Sequence, residues 1–395
     1  MKRWLSGLAV MVVALLPATP AQAAPDGVRA DQWYLRTLNV DGAWNWSTGA
    51  GVTVAVIDSG VDAGHVDLQG QVLPGLDLVD TKGDGDTDLV GHGTTVAALI
   101  AGKDDGAGVV GVAPKAKILP VRVLNQDNRY DDAHIVANGI RWAVDQGAQV
   151  INLSLGGTSS SAPLAAAIDY AFAKDVVVVS CTGNAGASTS TGVWYPAREP
   201  GVLAVAGLER PGDTLWESSN TGPETVVAAP ATQIVGVYPS GYRKASGTSF
   251  AAPMVAATAA LIRSRWPDIP AGEVINRIVR TARDRGPEGR DDKYGFGLVD
   301  PTAALTAELP AVAGNPLDTT PAPGVARMGT PGRSGSAPLI PDAARTDPAT
   351  DAGTVAAGPA SVPGGRSRPW WPAGVLLLLT AAASVTIIRR FADRG

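Results

Sequence analysis

The run Val52-Thr53-Val54-Ala55-Val56-Ile57-Asp58-Ser59-Gly60 begins almost wholly apolar or β-branched and closes on a carboxylate and a turn. A half-buried strand would alternate in polarity. This one does not, so it suits a strand covered on both faces of its sheet. Runs of the same kind recur at Ile118–Leu124, Val150–Leu153, Val176–Val179, Val202–Ala206 and Thr225–Ala228. Between and after them lie helical patterns at Gly93–Ala101, His134–Asp145, Pro163–Lys174, Ser249–Arg265 and Gly272–Arg283. In the second, Val136, Ile140, Ala143 and Val144 line one face of a helix. Strands alternating with helices over residues 28–305 predict an α/β fold: a doubly wound, mostly parallel sheet flanked by helices. Reacting groups in such sheets gather at the carboxyl ends of the strands, where Asp58 falls.

Composition narrows the function. A hydrophobic share of 45% supports a large core and excludes wholesale disorder. The net charge of −5 supplies no basic face for nucleic acid, so none is expected as a partner. One cysteine, Cys181, excludes an internal disulfide and any multi-cysteine metal cluster. Three histidines leave few places for imidazole chemistry.

The two ends read differently from the body. Lys2 and Arg3 precede an apolar run from Leu5 to Leu16 that ends in Ala21-Gln22-Ala23, the small-x-small pattern of a signal peptide over residues 1–23. The peptidase body is expected over 24–309, with a short N-terminal extension. From 310 to 369 there are 11 prolines among Gly, Ala, Ser and Thr and no aromatic residue, which predicts a disordered stalk. Trp371–Ile388 holds no charge over 18 residues, enough to cross a hydrocarbon core at about 1.5 Å per residue. A transmembrane helix is therefore expected at 370–388, with Trp370 and Trp371 at the interface and a cytoplasmic tail at 389–395. The signal peptide sets the topology: a single-pass protein of the cell membrane with its body outside.

Three short segments carry chemistry. Asp58 ends a strand, His92 opens a helix in Gly91-His92-Gly93-Thr94, and Ser249 opens another in Gly247-Thr248-Ser249-Phe250-Ala251-Ala252-Pro253. Asp, His and Ser are the parts of a nucleophilic relay, in which serine attacks an acyl carbon, histidine moves its proton and a buried aspartate orients the imidazole. Their order along the chain separates this relay from the α/β-hydrolase elbow, which also needs Gly where Ala251 stands.

The segments together resemble the subtilisin-like serine proteases. The resemblance spans Trp33 to Leu305 and includes Val109-Val110-Gly111-Val112-Ala113-Pro114, Ile151-Asn152-Leu153-Ser154-Leu155-Gly156, Thr182-Gly183-Asn184 and Tyr294-Gly295-Phe296-Gly297-Leu298-Val299-Asp300. It implies Asp58 as orienting acid, His92 as general base and acid, Ser249 as nucleophile and Asn184 as oxyanion donor. It also implies a polypeptide substrate laid along Ser154, Leu155 and Gly156, with Cys181, Thr182 and Gly183 forming the opposite wall of the pocket. Cys181 there reads as a small buried apolar residue, a reactive thiol being the other reading. His65 takes a structural place in a loop, and His134 lies at a helix start beside Asp131 and Asp132.

No metal or cofactor is expected. Asp84-Gly85-Asp86-Thr87-Asp88 lacks the glycine and glutamate of a calcium loop and reads as a solvated stretch. Lys103-Asp104-Asp105-Gly106 aligns with a loop that binds calcium in some subtilases.

About 28 residues separate the expected signal cleavage from the first core strand, too few for a folded prodomain. Signal peptide, stalk and anchor together resemble the mycosins, the membrane-anchored subtilases of type VII secretion systems. That resemblance implies a place beside a membrane secretion complex, cutting a secreted partner. The alternative is a scaffold subunit whose proteolysis is dispensable.

Overall fold

The computed structural model describes residues 27–80, 83–185 and 192–318. The expected signal peptide, transmembrane helix and tail, and the stalk from 319 onward, lie outside the described residues. Among the described residues no helix is long and apolar enough to cross a membrane.

Seven strands form one parallel sheet: β1 (Thr53–Asp58), β2 (Leu76–Asp77), β3 (Lys117–Arg122), β4 (Val150–Leu153), β5 (Val177–Cys181), β6 (Leu203–Leu208) and β7 (Val227–Pro230). Their order is β2-β3-β1-β4-β5-β6-β7, so the winding reverses at β1 and crevices open at its carboxyl end. β4 to β7 are buried at every position, as their unbroken apolar runs require. Register fixes the geometry of the site. Asp58 pairs with Arg122 of β3, Leu153 with Ser180 of β5 and Cys181 with Val205 of β6. Asp58, the residues after Leu153 and those after Cys181 therefore share one edge of the sheet.

The helices cover both faces. Three short ones, α1 (Gly27–Asp31), α2 (Trp33–Thr37) and α3 (Val40–Trp44), precede β1. They belong to the body. Trp33 and Tyr34 are buried, the Gln32 side-chain amide bridges the N–H and C=O of Val110, and Trp44 Nε1 donates to the Val112 carbonyl at 2.9 Å. Then come α4 (His92–Ala101), α5 (Ala133–Asp145), α6 (Ala162–Ala173), α7 (Thr248–Arg265), α8 (Ala271–Thr281) and α9 (Pro301–Thr306). α4 is buried along its whole length and α7 nearly so; α7 crosses beneath β4, β5 and β6. Its alanines at 251, 252, 256, 257, 259 and 260 let the helix lie close against the strands.

Two features depart from the sequence reading. An antiparallel hairpin, β8 (Ile234–Tyr238) and β9 (Gly241–Ala245), precedes α7 where no strand was expected. Gly236 and the adjoining Pro239 interrupt its apolar signal. Residues 310–318, assigned by composition to the stalk, instead lie on the body. Asn315 is buried with its amide on the Gly201 carbonyl at 3.0 Å, and the Val312 N–H meets the Glu273 carboxylate.

Candidate active site

Asp58 and His92 come together at the carboxyl end of β1. The two are fully buried, and Asp58 Oδ1 lies 2.7 Å from His92 Nδ1 and accepts the Ser59 N–H at the same distance. A bond from Nδ1 to a carboxylate fixes the ring so that Nε2 is the free proton acceptor. Nε2 is buried with no partner among the described residues. α4 can approach this closely because residue 93 is glycine: any Cβ there would run into the Gly60 carbonyl and press on Asp58. Burial lowers the basicity of His92, but the Asp58 charge, its hydrogen bond and the charge of Asp88 together outweigh that, and its pKa lies above the ordinary 6.5.

Asp88 corrects the reading of its loop. Asp84 and Asp86 are exposed, but Asp88 is buried and caps α4. Its Oδ1 accepts from Ser59 Oγ and from the Val90 and Gly91 N–H groups, and its Oδ2 from the Thr94 N–H and hydroxyl, at 2.7–3.0 Å. Ser59 Oγ in turn accepts the Gly93 N–H at 3.0 Å. One carboxylate thus ties the end of β1 to the start of the histidine helix. The only hint in the sequence is its place four residues before His92, hidden in an acidic run.

Ser249 stands in the first turn of α7. Its Oγ donates to the Ser154 carbonyl at 3.3 Å and lies 4.0 Å from Cys181 Sγ, and the structure gives it no hydrogen bond to His92. Catalytic bonds of this kind are commonly loose without substrate. α7 contains Pro253, which has no N–H for the Ser249 carbonyl four residues back. Ser154 Oγ takes that place at 2.7 Å and is itself held by Asn152 Nδ2 at 2.9 Å. The Ser154 side chain therefore anchors the serine helix and does not face a substrate.

Asn184 lies beside the same helix start. Its Oδ1 accepts the Thr248 N–H and hydroxyl at 2.9 and 2.7 Å, which turns Nδ2 the other way, buried and without a partner among the described residues. The Ser249 N–H is close by, in the turn where a helix leaves its amides without internal acceptors. Leu155 is buried, whereas the Gly156 backbone has no hydrogen bond among the described residues, and Gly157 exchanges two bonds of 2.8 Å with Tyr195. Cys181 sits under Ser249 with its Sγ 3.8 Å from the Leu155 carbonyl, and burial pushes its pKa to about 11. It is a packed thiol, not a nucleophile. The Thr182 and Gly183 backbones follow β5, the Thr182 carbonyl accepting from the Trp194 N–H at 3.0 Å.

The remaining histidines have structural places. His65 accepts the Asp67 N–H and packs edge-on against Tyr242; His134 lies exposed at the start of α5, its N–H capped by Asp132. In the other acidic loop Asp104 pairs with Arg29 and Asp105 with Lys103. Among the described residues no group of three or more His, Cys, Asp or Glu side chains could hold a metal ion.

Residues 49–297 match the Subtilase family, peptidase S8. The chain belongs to that family. Subtilisin DY of Bacillus licheniformis is 40% identical over 258 residues, covering 65% of this chain and 91% of its own. Fervidolysin of Fervidobacterium pennivorans, a keratinolytic enzyme, superposes with a TM-score of 0.67 at 34% identity over 73% of this chain; the chain spans only 48% of that larger structure. The MycP3 protease of the type VII (ESX-3) secretion system gives a TM-score of 0.62 at 33% identity, covering 74% of this chain and 91% of its own. The chain is accordingly a subtilisin-family serine endopeptidase with mycosins among its structural neighbours.

Proposed function

We propose that this subtilase hydrolyses peptide bonds through Asp58, His92 and Ser249, with Asn184 and the Ser249 N–H stabilising the oxyanion. One observation carries this reading: a buried Asp58–His92 pair at 2.7 Å beside a serine helix, with His92 Nε2 and Asn184 Nδ2 both without a partner among the described residues. His92 Nε2 takes the Ser249 proton as Oγ attacks the carbonyl carbon. The negative oxygen then meets Asn184 Nδ2–H and the amide end of α7. His92 returns the proton to the leaving amine, and water repeats the cycle on the acyl-enzyme. The substrate backbone adds alongside Leu155 and Gly156 as an extra strand, with Thr182 and Gly183 opposite.

The body acts outside the cytoplasm, tethered by the apolar segment 370–388, on a secreted polypeptide beside a type VII secretion complex. Support comes from the sequence pattern at the two ends and from the mycosin neighbours. The test is fluorophosphonate labelling of the full-length chain, with the adduct located by mass spectrometry and Ser249→Ala as control. A stoichiometric adduct on Ser249 is expected. Absence of an adduct on the folded protein overturns the triad and returns the scaffold reading.

A further inference from the structure

His92 stands between two glycines, and each lets a different element close on the first turn of α4. A Cβ at Gly93 would meet the Gly60 carbonyl and Asp58, so that side is set by the end of β1. A Cβ at Gly91 would meet Tyr238 Cδ1 at 2.8 Å, Tyr238 Cα at 3.0 Å and Pro239 Cδ at 2.7 Å. The other side is therefore set by the turn of the β8–β9 hairpin. Gly91 has a φ of +82°, the left-handed conformation that glycine takes without steric cost. One turn further along α4, the Thr95 hydroxyl donates to the Val237 carbonyl at 2.5 Å. Gly236 carries no side chain at that crossing, where Thr95 Cγ2 lies 2.5 Å from the position of the missing Cβ.

The hairpin also leads to the nucleophile. Only Ser246 and Gly247 separate the end of β9 from Thr248, the first residue of α7. Its position is thus shared by the base and the serine. Arg243 holds it from outside. In the hairpin register Arg243 faces Gly236, and its guanidinium carbon lies 3.6 Å from the centroid of the Tyr238 ring. An exposed cation is stacked on a buried phenol whose atoms touch Gly91. The neighbouring Tyr242 and Lys244 tie the same strand to Asp67 at 3.0 Å and to Asp31 at 2.8 Å.

We infer that Tyr238, braced by Arg243, is a positioning residue that sets the reach of His92 towards Ser249. The inference rests on the triad of the proposed function. The Asp58–His92 bond is made on the β1 side of the helix start, so removing the ring leaves that bond in place. What changes is the seat of Gly91, and with it the start of α4 relative to α7. A misplacement on the order of 1 Å costs up to about a hundredfold in rate. The loss falls on the step in which His92 takes the Ser249 proton. Peptide binding, which uses main-chain groups elsewhere, is untouched.

The experiment uses the full-length chain and measures the rate of fluorophosphonate labelling at Ser249, with kcat and KM on one cleaved peptide. Tyr238→Leu is expected to lower the labelling rate and kcat together by about tenfold or more at unchanged KM. Arg243→Ala should lower both by about threefold, the loss of one exposed cation–π contact. Tyr238→Phe keeps the ring and should react like the wild type, which a role for the hydroxyl would not allow. Labelling at the wild-type rate in Tyr238→Leu and Arg243→Ala overturns the inference and leaves the triad standing. So does a change confined to KM, which would make the hairpin a binding element. If Tyr238→Leu does not fold, Arg243→Ala, at an exposed position, decides by the same rates. Failure of the wild type to label removes the triad itself and the inference with it.

Discussion

The helices that deliver His92 and Ser249 both begin at the carboxyl edge of the sheet, yet their N-termini are treated in opposite ways. The start of α4 is saturated: a buried carboxylate, Asp88, accepts from the Val90, Gly91 and Thr94 amides and from two hydroxyls. The start of α7 receives no side-chain carboxylate among the described residues. Asn184 Oδ1 takes the Thr248 amide, and Asn184 Nδ2 has no partner among the described residues. The Asp88 carboxylate offsets the positive helix end at α4 and fixes the turn that carries His92. In the proposed mechanism the positive helix end at α7 faces the charge that develops on the substrate oxygen. Under the proposed mechanism the difference separates positioning from transition-state stabilisation.

The largest expected effect tests the open end. Asn184→Ala should lower kcat by about 10²–10³-fold with little change in KM, because the lost donor acts on the oxyanion and not on the bound peptide. Steady-state kinetics on one peptide decide it. A loss confined to KM would make Asn184 a binding group and erase the contrast.

The closed end should respond less, and differently. Asp88→Asn puts an amide donor where two donors now converge on Oδ2, and it removes one of the charges that raise the His92 pKa. A fall in kcat/KM of about tenfold is expected. The acid limb of the pH profile is the sharper readout. His92 acts as a base only when neutral, so activity is present above its pKa and lost as pH falls through it. With that pKa raised, the wild-type limb lies above 6.5, and in Asp88→Asn it should move to lower pH. A slower enzyme with an unmoved limb would reduce Asp88 to a helix cap.

Much of this was legible in the sequence, and the exceptions share a cause. The core strands announced themselves because a sheet covered on both faces tolerates only unbroken apolar runs. Asp58, His92 and Ser249 stood out because each ends a strand or opens a helix and the three residue types complete one reaction. Asp88 did not, since one acidic letter in Asp84–Asp88 looks like its neighbours until the fold buries it alone. Residues 310–318 misled because composition averaged over a long proline-rich stretch cannot see a short edge docked by Asn315.

The smallest expected effect concerns what holds the serine helix at all. Pro253 leaves the Ser249 carbonyl without its helical donor, and Ser154 Oγ fills the place at 2.7 Å. Ser154→Ala should therefore strand a buried carbonyl and lower stability by about 1–3 kcal/mol, read as a shifted denaturant midpoint. Pro253→Ala restores an N–H at the right position, so in combination with Ser154→Ala it should recover a large part of that loss. The two substitutions must then be non-additive, with a coupling of about 1 kcal/mol in a double-mutant cycle. Simple additivity would mean that the hydroxyl and the missing amide do not serve the same carbonyl. The serine helix would then owe its position to its packing against β4, β5 and β6, and the start of α7 would be held no more specifically than its middle.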